Sequence, residues 1–271
     1  MSGAAPAATA TCPTSRGAET QPYGQAGRSY HGLQGDRLRR LGPDGGDADP
    51  GVALVHGSFR ALALATGYTC VAARSVLQRG EYRFGCYPAL GSAAAAAGLA
   101  ADLWEFVHEF PVRADRFASF VASFDGPVSS TELDFEQVLW QQLQLLHDLD
   151  VIHSSWDPTV SQDPGERGFS FSFACRAFFL VGMHPASSRW SRRTAWPTIV
   201  FNAHAQFEQL RESGGMARMQ HVNRARDRRV QGSENPSLTR FEHEPETIMY
   251  SGRLVEPDWS CPLRVAPSAV A

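Results

Sequence analysis

Ala177-Phe-Phe-Leu-Val-Gly-Met183, followed by Pro197-Thr-Ile-Val-Phe201-Asn202-Ala-His204-Ala-Gln-Phe-Glu-Gln-Leu-Arg211, is the stretch whose reading settles the fold class. The first run is apolar without alternation, which predicts a strand covered on both faces. In the second, a short β-branched run gives way to helical spacing. Asn202 is placed to cap a helix from Ala203 to about Ser213, which Gly214-Gly215 ends, and Met216 to Val230 predicts another helix before Gly232.

Working outward, Phe169 to Ala174 alternates serine with aromatics and reads as a strand. Thr131 stands three residues before Asp134, a capping-box spacing, and Phe135, Val138, Leu139, Leu146 and Leu149 follow along one helical face. Residues 92–108 predict an amphipathic helix, Tyr82 to Tyr87 a strand stopped by Pro88, and Tyr68 to Leu77 a further strand. Strands interspersed with helices give an α+β (mixed α/β) class, with a central sheet flanked by helices in one domain over residues 46–262. Strand order does not follow from the sequence. Residues 1–45 are rich in Gly, Ala, Pro, Ser and Thr and predict a flexible arm, and 263–271 a flexible tail.

The 271 residues carry 25 basic and 28 acidic side chains, for a net charge of −3. That balance argues against a general nucleic-acid or anionic-membrane binder. Every basic residue is arginine. Without lysine the chain has neither a pyridoxal-phosphate Schiff base nor a Walker A lysine. Five cysteines, at 12, 70, 86, 175 and 261, form no C-x-x-C pair and read as reduced thiols. The N-terminal residues show no signal-peptide pattern and no run of apolar residues is long enough to span a bilayer, so the expected location is the cytoplasm.

Residues that are costly in a plain core concentrate between His184 and Cys261. His184 precedes Pro185 at a strand end, and Arg189, Arg192 and Arg193 offer guanidinium forks suited to carboxylate or phosphate. His204, Glu208 and Arg211 share a helical stripe, so the imidazole could serve a metal whose other ligands are not protein. Each has a plainer alternative, a polar loop or a hydrogen-bonded surface histidine. Residues 218–229 are arginine-rich but lack the aromatics that nucleic-acid binding favours. No H-E-x-x-H, G-x-S-x-G or G-x-G-x-x-G occurs.

In order and spacing, Val181-Gly-Met-His-Pro-Ala-Ser-Ser-Arg189, Arg192-Arg193, Phe201-Asn-x-His204-x-Gln-Phe-Glu208-x-Leu-Arg211, Arg226-Asp227, Gln231-Gly-Ser-x-Asn-Pro236, Tyr250-Ser-Gly-Arg253 and Trp259-x-Cys-Pro262 resemble the YqcI/YcgG family. The resemblance spans about residues 60–262 and is most specific after residue 165. It implies a haem-dependent monooxygenase of guanidino amino acids, with haem b in a pocket of the C-terminal half. The implied reaction is hydroxylation of free L-arginine to Nω-hydroxy-L-arginine for D-cycloserine biosynthesis. It uses O2 and an electron donor such as a ferredoxin or flavin reductase or an NADPH system, and a homodimer is left open.

Carried onto this chain, the resemblance makes His204 the first choice of axial ligand, His184 the second and Cys261 the third. Asp227, Asp134 and Glu136 are the candidates to bind the substrate guanidinium. Arg189, Arg192, Arg193 and Arg224 are the candidates to hold the haem propionates. The alternative is a non-catalytic haem- or anion-binding sensor or carrier.

Overall fold

In the computed structural model, residues 21–43, 45–111, 117–236 and 244–268 are described. Eight strands form one sheet: β1 (His31–Gln34), β2 (Arg37–Arg40), β3 (Gly46–Asp47), β4 (Tyr82–Tyr87), β5 (Ser119–Phe124), β6 (Phe171–Phe173), β7 (Arg176–Met183) and β8 (Thr198–Ala203). Their spatial order is β3-β2-β1-β4-β5-β8-β7-β6. The one parallel pair is β4–β5, and the other neighbours are antiparallel. A parallel neighbour needs a crossover, and α3 (Ala93–Glu109) supplies it. The remaining helices are α1 (Pro50–Leu64), α2 (Val71–Arg79), α4 (Glu132–Asp150), α5 (His204–Glu212), α6 (Gly215–Gln231) and α7 (Thr247–Tyr250).

The pleat sorts the strand side chains into two cores. Phe120, Leu180, Ile199 and Phe201 face Leu103 and Phe106 of α3 and Leu139 and Leu143 of α4. On the opposite face Tyr82, Phe84, Val121 and Met183 join Phe59 of α1 and Val76 and Leu77 of α2. Val181 and Val200 lie on this second face but are only partly covered. β7 is thus apolar on both sides, but its second face, expected to be covered, is only partly so. The capping box at the head of α4 also forms: Asp134 N–H donates to Thr131 Oγ1 and Thr131 N–H to Asp134 Oδ2.

Several expectations need correction. Residues 71–79, read as part of a strand, are helical: Ala72, Ala73 and Leu77 favour a helix, Cys70 caps it, and Gly80, at φ +68°, ends it. Asn202 does not cap α5. It stays in β8, accepting the Ser119 hydroxyl at 2.7 Å and donating to Phe179 O. The segment assigned to a flexible arm supplies β1 and β2, while residues 1–20 lie outside the described residues.

The fully buried Asp102 explains that order, accepting from Arg28 Nε at 2.8 Å, Ser29 N at 2.6 Å and Tyr87 Oη at 2.8 Å. A glycine is required where this segment lies on α3, since a Cβ at Gly98 would come within 2.2 Å of Gly27 O. The supposed tail is docked as well: Leu263 is buried, and Ala266 N–H donates to His147 Nε2. Cys70, Cys86 and Cys261 are free thiols, whereas Cys175 is disulfide-bonded, against the expectation of reduced thiols throughout. Among the described residues no helix is long and apolar enough to cross a membrane.

Candidate functional site

On the second face of the sheet, α1, α2, α5 and α6 stop short of covering the strands and leave an open-mouthed cleft of about 220 Å³. Strand register builds its floor. Val121, Val200 and Val181 lie side by side across β5, β8 and β7. Next to them, Ser119, Asn202 and Phe179 form a second row. The walls are largely apolar, with Val76 and Leu77 of α2 opposite Phe207, Met216 and Met219. Asn223 Oδ1 accepts Val71 N–H, and Arg226 donates to Tyr68 O, so α6 is tied to the head of α2.

His204 is the first residue of α5, and it faces the cleft. Its Nε2 is 3.1 Å from Glu208, a half-exposed carboxylate that also pairs with Arg211. Its Nδ1 is 3.5 Å from Glu246, a charge contact without an aligned hydrogen bond. Glu246 is buried and held by the hydroxyls of Ser170, at 2.7 Å, and Tyr250. Burial disfavours the imidazolium, but Glu246 and then Glu208 outweigh it, and the pKa of His204 is raised. The carboxylate facing the inner edge of the His204 ring is therefore Glu246, which no local pattern in the sequence connects with it.

Of the four arginines singled out, only Arg192 lines the cleft. It is 8% exposed, and its Nη1 donates to Gly182 O at 3.0 Å and Tyr250 O at 3.3 Å. Among the described residues no carboxylate lies within ion-pair distance of it. Burial pushes its guanidinium down to about 10. Gly252, at φ +85°, makes room for it, since a Cβ there would meet Arg192 Cδ at 2.7 Å. Arg189 is taken up by Asp227 at 2.5 Å and by Ser233, Arg193 ties the loop carbonyls of Ser187 and Ser188, and Arg224 on α6 faces Glu234.

The three acidic candidates separate as clearly. Asp227 lines the cleft, and its Oδ2 accepts from Arg189 and from Asn235 N. Its Oδ1 has no partner among the described residues. Glu136 lies away from the cleft and is fully engaged: Arg253 holds it at both oxygens, at 2.8 and 3.0 Å, while Ser251 and Trp259 Nε1 donate to it. Asp134 is an exposed cap residue whose hydrogen bonds from Ser130 and Thr131 hold its carboxyl below the usual range.

His184 and Cys261 do not line the cleft. His184 is fully buried and stacked on Phe135 at 4.2 Å, and burial pushes its imidazole down to about 4. Cys261 packs against the α3–α4 core, where burial pushes its thiol up to about 12. The remaining motifs close the loop around the site, with Gln231 accepting Trp190 N–H and donating to Ser188 O.

Among the described residues no three His, Cys, Asp or Glu side chains converge on a metal position. An ion in this cleft would take most of its ligands from a non-protein group. No curated protein and no solved structure matches the chain. Residues 59–264, which include β4 to β8 and every residue of the cleft named above, match the YqcI/YcgG family, and the chain belongs to that family.

Proposed function

We propose that this protein is a haem-dependent monooxygenase that hydroxylates a guanidino nitrogen of free L-arginine to Nω-hydroxy-L-arginine, the activity that the motif resemblance links to D-cycloserine biosynthesis. It works in the cytoplasm with O2 and an external electron donor. The observation that carries the reading is His204, an imidazole backed by the buried carboxylate of Glu246, at the wall of an open, mainly apolar cleft. An imidazole whose second nitrogen faces a carboxylate is oriented and made more basic, as metal-ligating histidines are. Nδ1 faces Glu246, so Nε2 is the nitrogen that would hold iron, and its present neighbour Glu208 is a surface side chain free to turn away.

The residues present fit a haem. The valines of the floor and Met216 and Met219 offer the apolar surface that a porphyrin face requires. Bound there, haem would supply an iron centre at which O2 is reduced by two electrons and two protons, one oxygen atom going to the substrate nitrogen and the other to water. The chain's own part is to bind and orient. Asp227 Oδ1 is an acceptor for a substrate guanidinium, and Arg189 and Asn235 hold that carboxylate in place. The apolar walls limit water around the reacting nitrogen.

The test is the visible spectrum of the purified, haemin-supplemented full chain with and without L-arginine, followed by product analysis with O2 and a reductant. A Soret band that shifts with L-arginine, together with Nω-hydroxy-L-arginine, is the expected result. A Soret band without shift or turnover favours a haem carrier or sensor, and a protein that takes up no haemin overturns the reading.

A further inference from the structure

We propose that Arg192 is the carboxylate-binding residue of the cleft. A guanidinium buried this deeply in a protein normally has an acidic partner, because removing its charge from water without one is costly. Arg192 has none within ion-pair distance among the described residues, and the carboxylates of Glu132 and Asp227 act on its charge only from farther away. Its Nη1 is spent on two backbone carbonyls, which fix the plane of the group. Nε and Nη2 donate to no described residue, and neither is among the side-chain atoms sealed from solvent, so that edge opens on the cleft.

The Nε–Nη2 edge presents two parallel N–H groups at the spacing of two carboxylate oxygens. One positive charge with no adjacent carboxylate matches one carboxylate better than a phosphate dianion. Gly252, where any side chain would collide with Arg192, keeps the fork in position. Two carboxylates could arrive here: a propionate of the cofactor, or the α-carboxylate of an amino-acid substrate. Naming these two sources rests on the function proposed above, whereas the anion site rests on the guanidinium itself.

Full-length wild type and Arg192→Gln are compared in two assays, each checked for folding by circular dichroism. Calorimetry compares L-arginine with agmatine, the same molecule without its carboxylate. Soret titration compares haemin with haemin dimethyl ester, whose propionates are uncharged. Wild type should prefer the carboxylate-bearing partner by about tenfold or more in one of the two assays, and Arg192→Gln should erase that preference alone. The assay that responds identifies the source. Arg192→Lys, which keeps the charge and loses the fork, should retain a reduced preference, and it serves if the glutamine variant does not fold. A wild type without either preference, or a folded Arg192→Gln that keeps the preference, overturns the assignment. If neither haemin nor its ester binds but L-arginine is still preferred over agmatine through Arg192, the site stands and the haem reading falls.

Discussion

Replacing Gly252 by alanine tests whether Arg192 is pinned where the structure has it. Two costs add. The residue sits at φ +85°, where an L side chain is strained by about 1 kcal/mol. The new Cβ would also lie 2.7 Å from Arg192 Cδ and 2.9 Å from Nη1, so the arginine must move and give up its bonds to Gly182 O and Tyr250 O. Hydrogen bonds from a charged donor contribute about 1.5–3 kcal/mol each, and the 3.3 Å one belongs at the weak end, so about 3–4.5 kcal/mol is lost. Gly252→Ala should therefore cost about 4–5.5 kcal/mol in equilibrium urea unfolding. Gly214→Ala is the matched control, because Gly214 has φ +70° and a methyl carbon added there would have no neighbouring atom within 4 Å, so it should cost only the backbone share. If the two variants lose the same stability with unchanged m-values, Arg192 yields without penalty and the account of a fixed guanidinium is wrong.

His204→Ala should abolish the haemin Soret band or change its form, whereas His184→Ala should keep it; the reverse pattern moves the ligand to His184. In the haem-free protein the raised pKa of His204 means that its contact with Glu246 stabilises the fold fully below the ordinary histidine value and ceases to do so as pH rises through the raised one. Haemin needs the neutral ring, so its occupancy should rise as pH climbs from the ordinary histidine value through the raised one, and a flat titration would refute the assignment. Glu136→Ala leaves Arg253 without its buried partner and should cost about 3 kcal/mol of stability by chemical denaturation, while a folded variant keeps its L-arginine affinity. Asp102→Ala strips three donors of their acceptor and should speed hydrogen exchange of residues 31–40 well before the rest of the sheet, a change that uniform exchange would contradict.

The parts of the fold legible in the sequence are those where a local pattern and the tertiary environment agree. β7 is apolar on both faces because one packs on α3 and α4 and the other on the second core and the cleft, and α4 starts at Thr131 because the capping spacing is closed by its own residues. Residues 71–79 mislead because Val71, Val76 and Leu77 mimic a strand, while the signals that decide the matter are the Cys70 cap and the Gly80 stop. The one local signal for the ordering of residues 29–41 is the Gly35-Asp36 turn between β1 and β2, and their anchoring to the domain comes from Asp102, about seventy residues downstream of Ser29. At the site, the histidine stripe is visible in the sequence, but the separation of Arg192 from Arg189 and of Asp227 from Glu136 is not. Those pairs are alike in sequence and differ only in which buried partner each has already found.

The floor of the cleft joins two blocks of chain whose strands meet where β5 pairs with β8, at partners 75 to 83 residues apart. A molecule lying across Val121, Val200 and Val181 therefore acts as a clasp on a long-range seam, gripping the N-terminal block through β5 and the C-terminal one through β7 and β8. Its binding energy adds to the cohesion of that joint, by about 2.7 kcal/mol at a free concentration about one hundred times its Kd. Occupancy is thus coupled to survival of the whole chain on heating, and the loaded protein melts later than the empty one.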